Sequence, residues 1–285
     1  MLKFKGTGVA LITPFLEDLS IDFDGLKNVI NHVIEGGADY LVVQGTTGES
    51  ATMNKEEKKS VLKASLEYND SRLPIVYGLG GNNTQGVLDE IKNTDFAGID
   101  AILSVSPYYN KPSQAGIIAH YTAIADASPV PVILYNVPGR TMSNVSYQTT
   151  LTLAKHPNII GMKEASGDLS QCMRIASKMP KDFLLISGDD ILTPSMNAIG
   201  GSGVISVLAN AYPEIFKTIC HGAPEESKEA AFKLLDINPY MYEESNPVGL
   251  KCLMNELGIC GDAVRLPLVK ASDDLKENIK ANLVQ

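Results

Sequence analysis

The sequence predicts an α/β fold, a (β/α)8 or TIM barrel over residues 1–212 through strand eight, with residues 213–285 forming the last barrel helix and a C-terminal helical extension packed on the barrel. Eight short apolar runs, rich in Val and Ile and without strict alternation, punctuate the chain, which is how strands buried on both faces read. A longer stretch of helical character separates each run from the next, and strand–helix alternation builds a parallel sheet with right-handed crossovers. The first run leads into Thr13-Pro14-Phe15, with no Gly-rich dinucleotide turn, which disfavours an open doubly wound sheet.

In order, the runs occupy residues 8–12, 40–44, 74–78, 101–105, 130–136, 159–163, 183–187 and 203–207. Helix starts are legible between them. Asp22 opens a stretch whose apolar positions Phe23, Leu26, Ile30 and Val33 lie near one face and which stops at Gly36-Gly37. Asn54 caps residues 55–68, and Glu57 three residues on completes a capping box. Ser113, Ser146 and Leu169 begin three more. Beyond the eighth run, residues 214–285 read as helix broken at Gly222-Ala223-Pro224, at Asn246-Pro247 and from Gly258 to Asp262.

Composition limits the function classes. The 285 residues are 44% hydrophobic and 20% charged, with 24 Lys and Arg against 33 Asp and Glu, a net charge of -9. That acidic balance argues against nucleic acid or an anionic membrane as a partner, while leaving room for a locally positive small-anion site. No apolar stretch approaches the roughly 18 residues of a membrane span, so a soluble, cytoplasmic protein is expected. Cys172, Cys220, Cys252 and Cys260 form no C-x-x-C pair, and a disulfide framework is not expected. The four histidines lack H-x-x-x-H spacing and there is no G-x-S-x-G elbow, so neither metal chemistry nor Ser-His-Asp hydrolysis is expected, and no cofactor is implied.

Catalytic groups of such barrels sit where strands end. The sixth run ends in Lys163. A lysine there faces the barrel mouth, where desolvation favours the neutral amine that condenses with a ketone; the plain alternative is a side chain snorkelling to solvent. The fifth run ends Tyr135-Asn136-Val137-Pro138-Gly139-Arg140-Thr141. Tyr135 stands one strand from Lys163 and could move protons, or it could be a core aromatic. Arg140 follows a Pro-Gly turn and could clamp a carboxylate with two hydrogen bonds, or form a surface ion pair. After the second run, Gly45-Thr46-Thr47-Gly48-Glu49-Ser50 suggests a tight anion-binding loop, against an ordinary Gly-rich turn. Tyr108-Tyr109, between Pro107 and Pro112, form a stiff projecting loop suited to binding or to an interface, or simply packed on its neighbour. Gly188 would let a ligand approach the backbone. Gly200-Gly201-Ser202-Gly203 precedes the eighth strand and so falls on the opposite face.

Together these segments, with Pro107-Tyr108-Tyr109-Asn110-Lys111-Pro112 and Gly161-Met162-Lys163-Glu164-Ala165, resemble in order and spacing the signature segments of the dihydrodipicolinate synthase / N-acetylneuraminate lyase family, over essentially the whole chain. The resemblance implies a Schiff base between Lys163 and pyruvate. It makes Tyr135 the proton donor and acceptor, with Thr46 and Tyr109 completing a relay, and Tyr109 arriving from a neighbouring subunit of a homotetramer, a dimer of dimers. It implies that Thr47 binds the pyruvate carboxylate and that Gly188 and Ile205 shape the pyruvate pocket. The arginine after the Tyr-Asn pair resembles members that condense pyruvate with L-aspartate 4-semialdehyde for diaminopimelate and lysine biosynthesis, Arg140 holding the semialdehyde's carboxylate. The competing readings are another class I pyruvate aldolase, such as a sialic acid or keto-sugar-acid lyase, and a non-catalytic ligand-binding barrel or regulator.

One departure stands out. In feedback-inhibited members lysine binds at a subunit interface through residues corresponding to Ser50, Ala51, Asn82 and Tyr108, with two histidines and a glutamate; here Lys55, Lys58 and Gly86 stand at those last positions. Two like charges and a missing counter-charge predict weak or absent inhibition by lysine.

Overall fold

The computed structural model describes residues 2–284. Strands β1 (Gly6–Ala10), β2 (Tyr40–Val43), β3 (Ile75–Gly78), β4 (Ala101–Val105), β5 (Val132–Asn136), β6 (Ile159–Glu164), β7 (Leu184–Ser187) and β8 (Gly203–Ser206) pair in sequence order, all parallel, and β8 closes onto β1. The predicted (β/α)8 barrel is therefore the observed one. Crossover helices follow the strands: α1 (Phe23–Glu35), α2 (Lys55–Asn69), α3 (Thr84–Asn93), α4 (Gln114–Ala127), the short α5 (Pro138–Thr141) with α6 (Tyr147–Leu153), α7 (Leu169–Ala176) and α8 (Thr193–Ala198).

The first strand begins two residues earlier than its apolar run. Gly6 and Gly203 bring β1 and β8 together in positive-φ backbone, and a Cβ on Gly203 would fall 2.0 Å from the Gly6 carbonyl oxygen. Two glycines that permit this approach carry no apolar signal, so the pattern understates the strand. Leu11 continues it by donating its N–H to the Val42 carbonyl at 3.0 Å.

Helix caps follow the sequence closely. Asp22 accepts from the Gly25 N–H at 2.8 Å. Asn54 and Glu57 exchange both capping-box bonds at 2.9 Å. Ser113, Ser146 and Asp168 cap α4, α6 and α7. One face differs from expectation: Phe23 is exposed, and Val29 joins Leu26, Ile30 and Val33 on the buried side of α1. The i, i+3/i+4 stripe thus starts at Leu26, one turn later.

Inward side chains fill the barrel from below. Phe4 packs edge-on against Tyr40 at 5.8 Å between ring centroids, both fully buried, and Gly8 leaves the space for the Tyr40 ring, which a Cβ there would meet at 2.3 Å. Ile133, Ile186 and Ile205 stack in the same interior cluster with Tyr135. Each such fully buried aliphatic side chain contributes roughly 1.5–3 kcal/mol relative to exposure.

After β8 come α9 (Pro213–His221), α10 (Pro224–Phe232), α11 (Val248–Glu256) and α12 (Asp273–Ala281). Their buried Phe216, Leu250, Leu253 and Leu275 share one core cluster with Leu11, Ile30 and Val33 of the barrel's first βα unit. The break expected from Gly258 to Asp262 extends to Ser272, because the segment is anchored by side chains instead of helical turns: Arg265 donates to the Leu19 and Thr52 carbonyls and to Glu57. No helix among the described residues is long and apolar enough to cross a membrane.

Candidate active site

The ladder between β5 and β6 sets Tyr135 directly opposite Lys163, so both side chains leave neighbouring strands on the same, inward face. Lys163 is only 5% exposed and Tyr135 8%. The amine nitrogen stands 4.5 Å from the centroid of the Tyr135 ring. Among the described residues Lys163 enters no ion pair. A buried amine against an aromatic face does not match a lysine snorkelling to water.

Above the pair opens a cavity of about 300 Å³. Lys163, Tyr135, Thr46, Thr47, Arg140 and Gly188 all line it, so the structure gathers six of the eight residues singled out in the sequence. Two stand apart. Ile205 is wholly buried within the barrel interior and does not reach the cavity wall. Tyr109 is 87% exposed, with φ 76°, on the loop after β4 and outside the cavity.

Each lining residue has a local reason for its place. Thr47 is buried, and its hydroxyl oxygen accepts from Asn246 Nδ2 at 3.0 Å. The Gly48 and Glu49 N–H groups turn back to the Gly45 and Thr46 carbonyls at 3.1 Å, whereas among the described residues those of Thr46 and Thr47 have no acceptor within the chain. Successive free N–H groups in a tight turn suit an anion. Arg140 lies exposed on α5 at the rim and makes no ion pair among the described residues, unlike the surface pair that was its alternative. Gly188 is required by packing: a Cβ there would sit 2.5 Å from that of Ala165.

Behind the strands, Glu164 faces away from Lys163 and is buried. Burial pushes its pKa up, opposed by hydrogen bonds from Asn136 at 3.0 Å, the Ser166 N–H at 2.8 Å and Gln171 at 2.9 Å. Asn136 and Gln171 also bond Asn144, so this network ties the turn carrying Arg140 to the strand carrying Lys163. Asp190 is fully buried beside the cavity. Burial lifts its pKa to about 6, while the Leu208 N–H, donated at 2.8 Å, and the charge of Lys163 pull it down.

The cavity also takes Asp189, from the strand end after β7, and three residues that carry no site signal in the sequence, Asn238, Tyr242 and Asn246 from the turns between α10 and α11. Asn246 lies 199 positions from Thr47, and its only local signal, an Asn-Pro step, reads as a helix break. All four histidines are engaged elsewhere, with Ala211, Thr84, Asp126 and Asp39. Among the described residues no group of three or more His, Cys, Asp or Glu is placed to hold a metal ion.

Residues 3–285 match the model of the dihydrodipicolinate synthetase family. A 4-hydroxy-tetrahydrodipicolinate synthase of Cytophaga hutchinsonii is 51% identical over 98% of this chain and 96% of its own. Among solved structures, the chloride-inhibited dihydrodipicolinate synthase of Acinetobacter baumannii, complexed with pyruvate, is 35% identical and superposes with a TM-score of 0.94, covering 98% of this chain and 97% of its own. The dihydrodipicolinate synthase of Cyanidioschyzon merolae, with lysine bound, is also 35% identical, with a TM-score of 0.93 and the same coverage.

Proposed function

Since the chain belongs to the dihydrodipicolinate synthetase family, we propose that it is a 4-hydroxy-tetrahydrodipicolinate synthase, condensing pyruvate with L-aspartate 4-semialdehyde in lysine biosynthesis. The observation that carries the chemistry is the buried Lys163 amine set against Tyr135 at the floor of the cavity. The amine adds to the pyruvate ketone and expels water, giving an iminium. Loss of a methyl proton gives the enamine, whose carbon attacks the aldehyde. The semialdehyde's own amine then displaces Lys163 at the imine carbon and closes the ring, so that one water is lost overall.

Tyr135 is placed to pass protons to and from the reacting carbons, since its strand neighbour is the nucleophile itself. Thr47 and the free N–H groups of its loop take the pyruvate carboxylate, and Arg140 at the rim takes that of the semialdehyde. Gly188 keeps the wall thin and Ile205 supports the floor from inside the barrel. Thr46 joins a relay with Tyr135 that Tyr109 of a neighbouring subunit completes, in a homotetramer built as a dimer of dimers; the exposed, left-handed Tyr109 supports that reading. The absence of a membrane-length helix among the described residues fits a place in the cytoplasm.

Borohydride added with pyruvate, followed by peptide mass mapping, tests the assignment. A reduced adduct on the peptide carrying Lys163 is expected, together with turnover of aspartate 4-semialdehyde and none of N-acetylneuraminate. Labelling of another lysine, or of none, removes the mechanism.

Inhibition by lysine should be weak or absent. Lys55 and Lys58 stand in the first turn of α2, and a Cβ on Gly86 would meet nothing closer than 3.5 Å, so the missing carboxylate is not a matter of space. A dose-response series showing sub-millimolar inhibition contradicts this.

A further inference from the structure

The anion loop Gly45-Thr46-Thr47-Gly48 is bracketed by two non-glycine residues in left-handed backbone, Gln44 at φ 61° and Glu49 at φ 50°. Side chains with a Cβ disfavour that conformation, and it persists where the surroundings over-determine it. Here both residues are buried and both are held by their own side chains. Gln44 donates to the Lys58 carbonyl and accepts from the Tyr77 hydroxyl at 3.4 Å. Glu49 takes the Lys251 ammonium at 2.6 Å through one carboxylate oxygen and the Arg265 N–H at 3.1 Å through the other.

Lys251 is wholly buried. It also donates to the Ala263 carbonyl at 2.9 Å and stands 4.1 Å from the centroid of the Phe15 ring. Burial pulls its pKa down and Glu49 opposes that. Five residues earlier the chain presents Asn246, the donor to Thr47. One segment of the C-terminal extension therefore grips the loop twice, at Thr47 and at Glu49. A buried ion pair is a poor source of stability, because desolvation offsets its attraction and an apolar pair of similar shape often does as well. What an apolar pair cannot supply is direction.

We propose that Glu49 and Lys251 are positioning residues that lock the Thr46–Thr47 loop in the shape that receives the pyruvate carboxylate. The proposal rests on the reading of that loop as the carboxylate site. It assigns the C-terminal extension a part in binding the first substrate.

Two variants test it, with thermal melts, pyruvate-dependent kinetics and borohydride trapping beside the wild type. Lys251→Met leaves Glu49 buried and unpaired, and should melt lower. The double variant Glu49→Gln/Lys251→Met removes both charges and should recover most of that loss. Its KM for pyruvate should nonetheless stay raised by about 10- to 100-fold, the scale of a small misplacement of a binding group. Its kcat at saturating pyruvate should change little, and Lys163 should still be trapped. A wild-type KM for pyruvate in the double variant overturns the proposal. So does a double variant that melts as low as Lys251→Met, since the pair would then be a structural support. Failure of the wild type to form a Lys163 adduct would instead defeat the reading of the site, and is told apart because failure of the clamp leaves that adduct intact.

Discussion

Lys163→Ala should lose turnover by at least about 10⁴-fold, the scale seen when a covalent nucleophile is removed, and should lose borohydride trapping with pyruvate altogether. Among the described residues no other lysine lines the cavity, so no neighbour there can take over the imine. Stability should move the other way. Lys163 is buried without an ion-pair partner among the described residues, and an unpaired polar group out of water costs free energy that alanine does not. A melting temperature equal to or above that of the wild type, with activity gone, is the expected pair of results. Lys163→Arg should not rescue, because a guanidinium keeps its proton and offers no free electron pair. Substantial turnover in Lys163→Ala would mean that the imine forms elsewhere.

Arg140→Ala should act on the second substrate. Its side chain is exposed at the rim, and it makes no ion pair among the described residues, so deleting it should leave the fold and the pyruvate site intact. A bidentate, charge-assisted contact to a carboxylate is worth about 1.5–3 kcal/mol, which corresponds to roughly 10- to 100-fold in KM for aspartate 4-semialdehyde. The KM for pyruvate should hardly change. Arg140→Lys should fall between, keeping the charge but not the fork. Steady-state kinetics with each substrate varied in turn checks this, and equal effects on both would place Arg140 in general electrostatics.

Much of this was legible in the sequence because it is local. Seven strands coincide closely with apolar runs and the first overlaps its run with a two-residue offset, since a strand buried on both faces needs no partner to declare itself. Lys163, Tyr135 and Arg140 were legible because a barrel gathers its strand ends at one mouth, so the residues closing each apolar run are the ones that meet there. What escaped depends on distance along the chain. Asn246 matters through Thr47, Lys251 through Glu49 and Arg265 through Glu57, each about 200 residues away, and nothing in their own neighbourhoods foretells it. Lys251 in particular reads as one more polar residue of a helix, although it is buried on every side. The first strand was misplaced for the opposite reason, since glycines that allow close approach look like the absence of structure.

The plug of Phe4 and Tyr40 at the base of the barrel sets a traffic rule. A shaft stopped at one end has a single doorway, and on the proposed reading the nucleophile waits at the bottom of it while the arginine stands at the sill. Whatever reacts with Lys163 must pass before the guest that docks at Arg140, because the later arrival blocks the way down. On that reading the keto acid loads first and water leaves ahead of the second guest, so the order of events would follow from the closed floor as much as from the reacting groups.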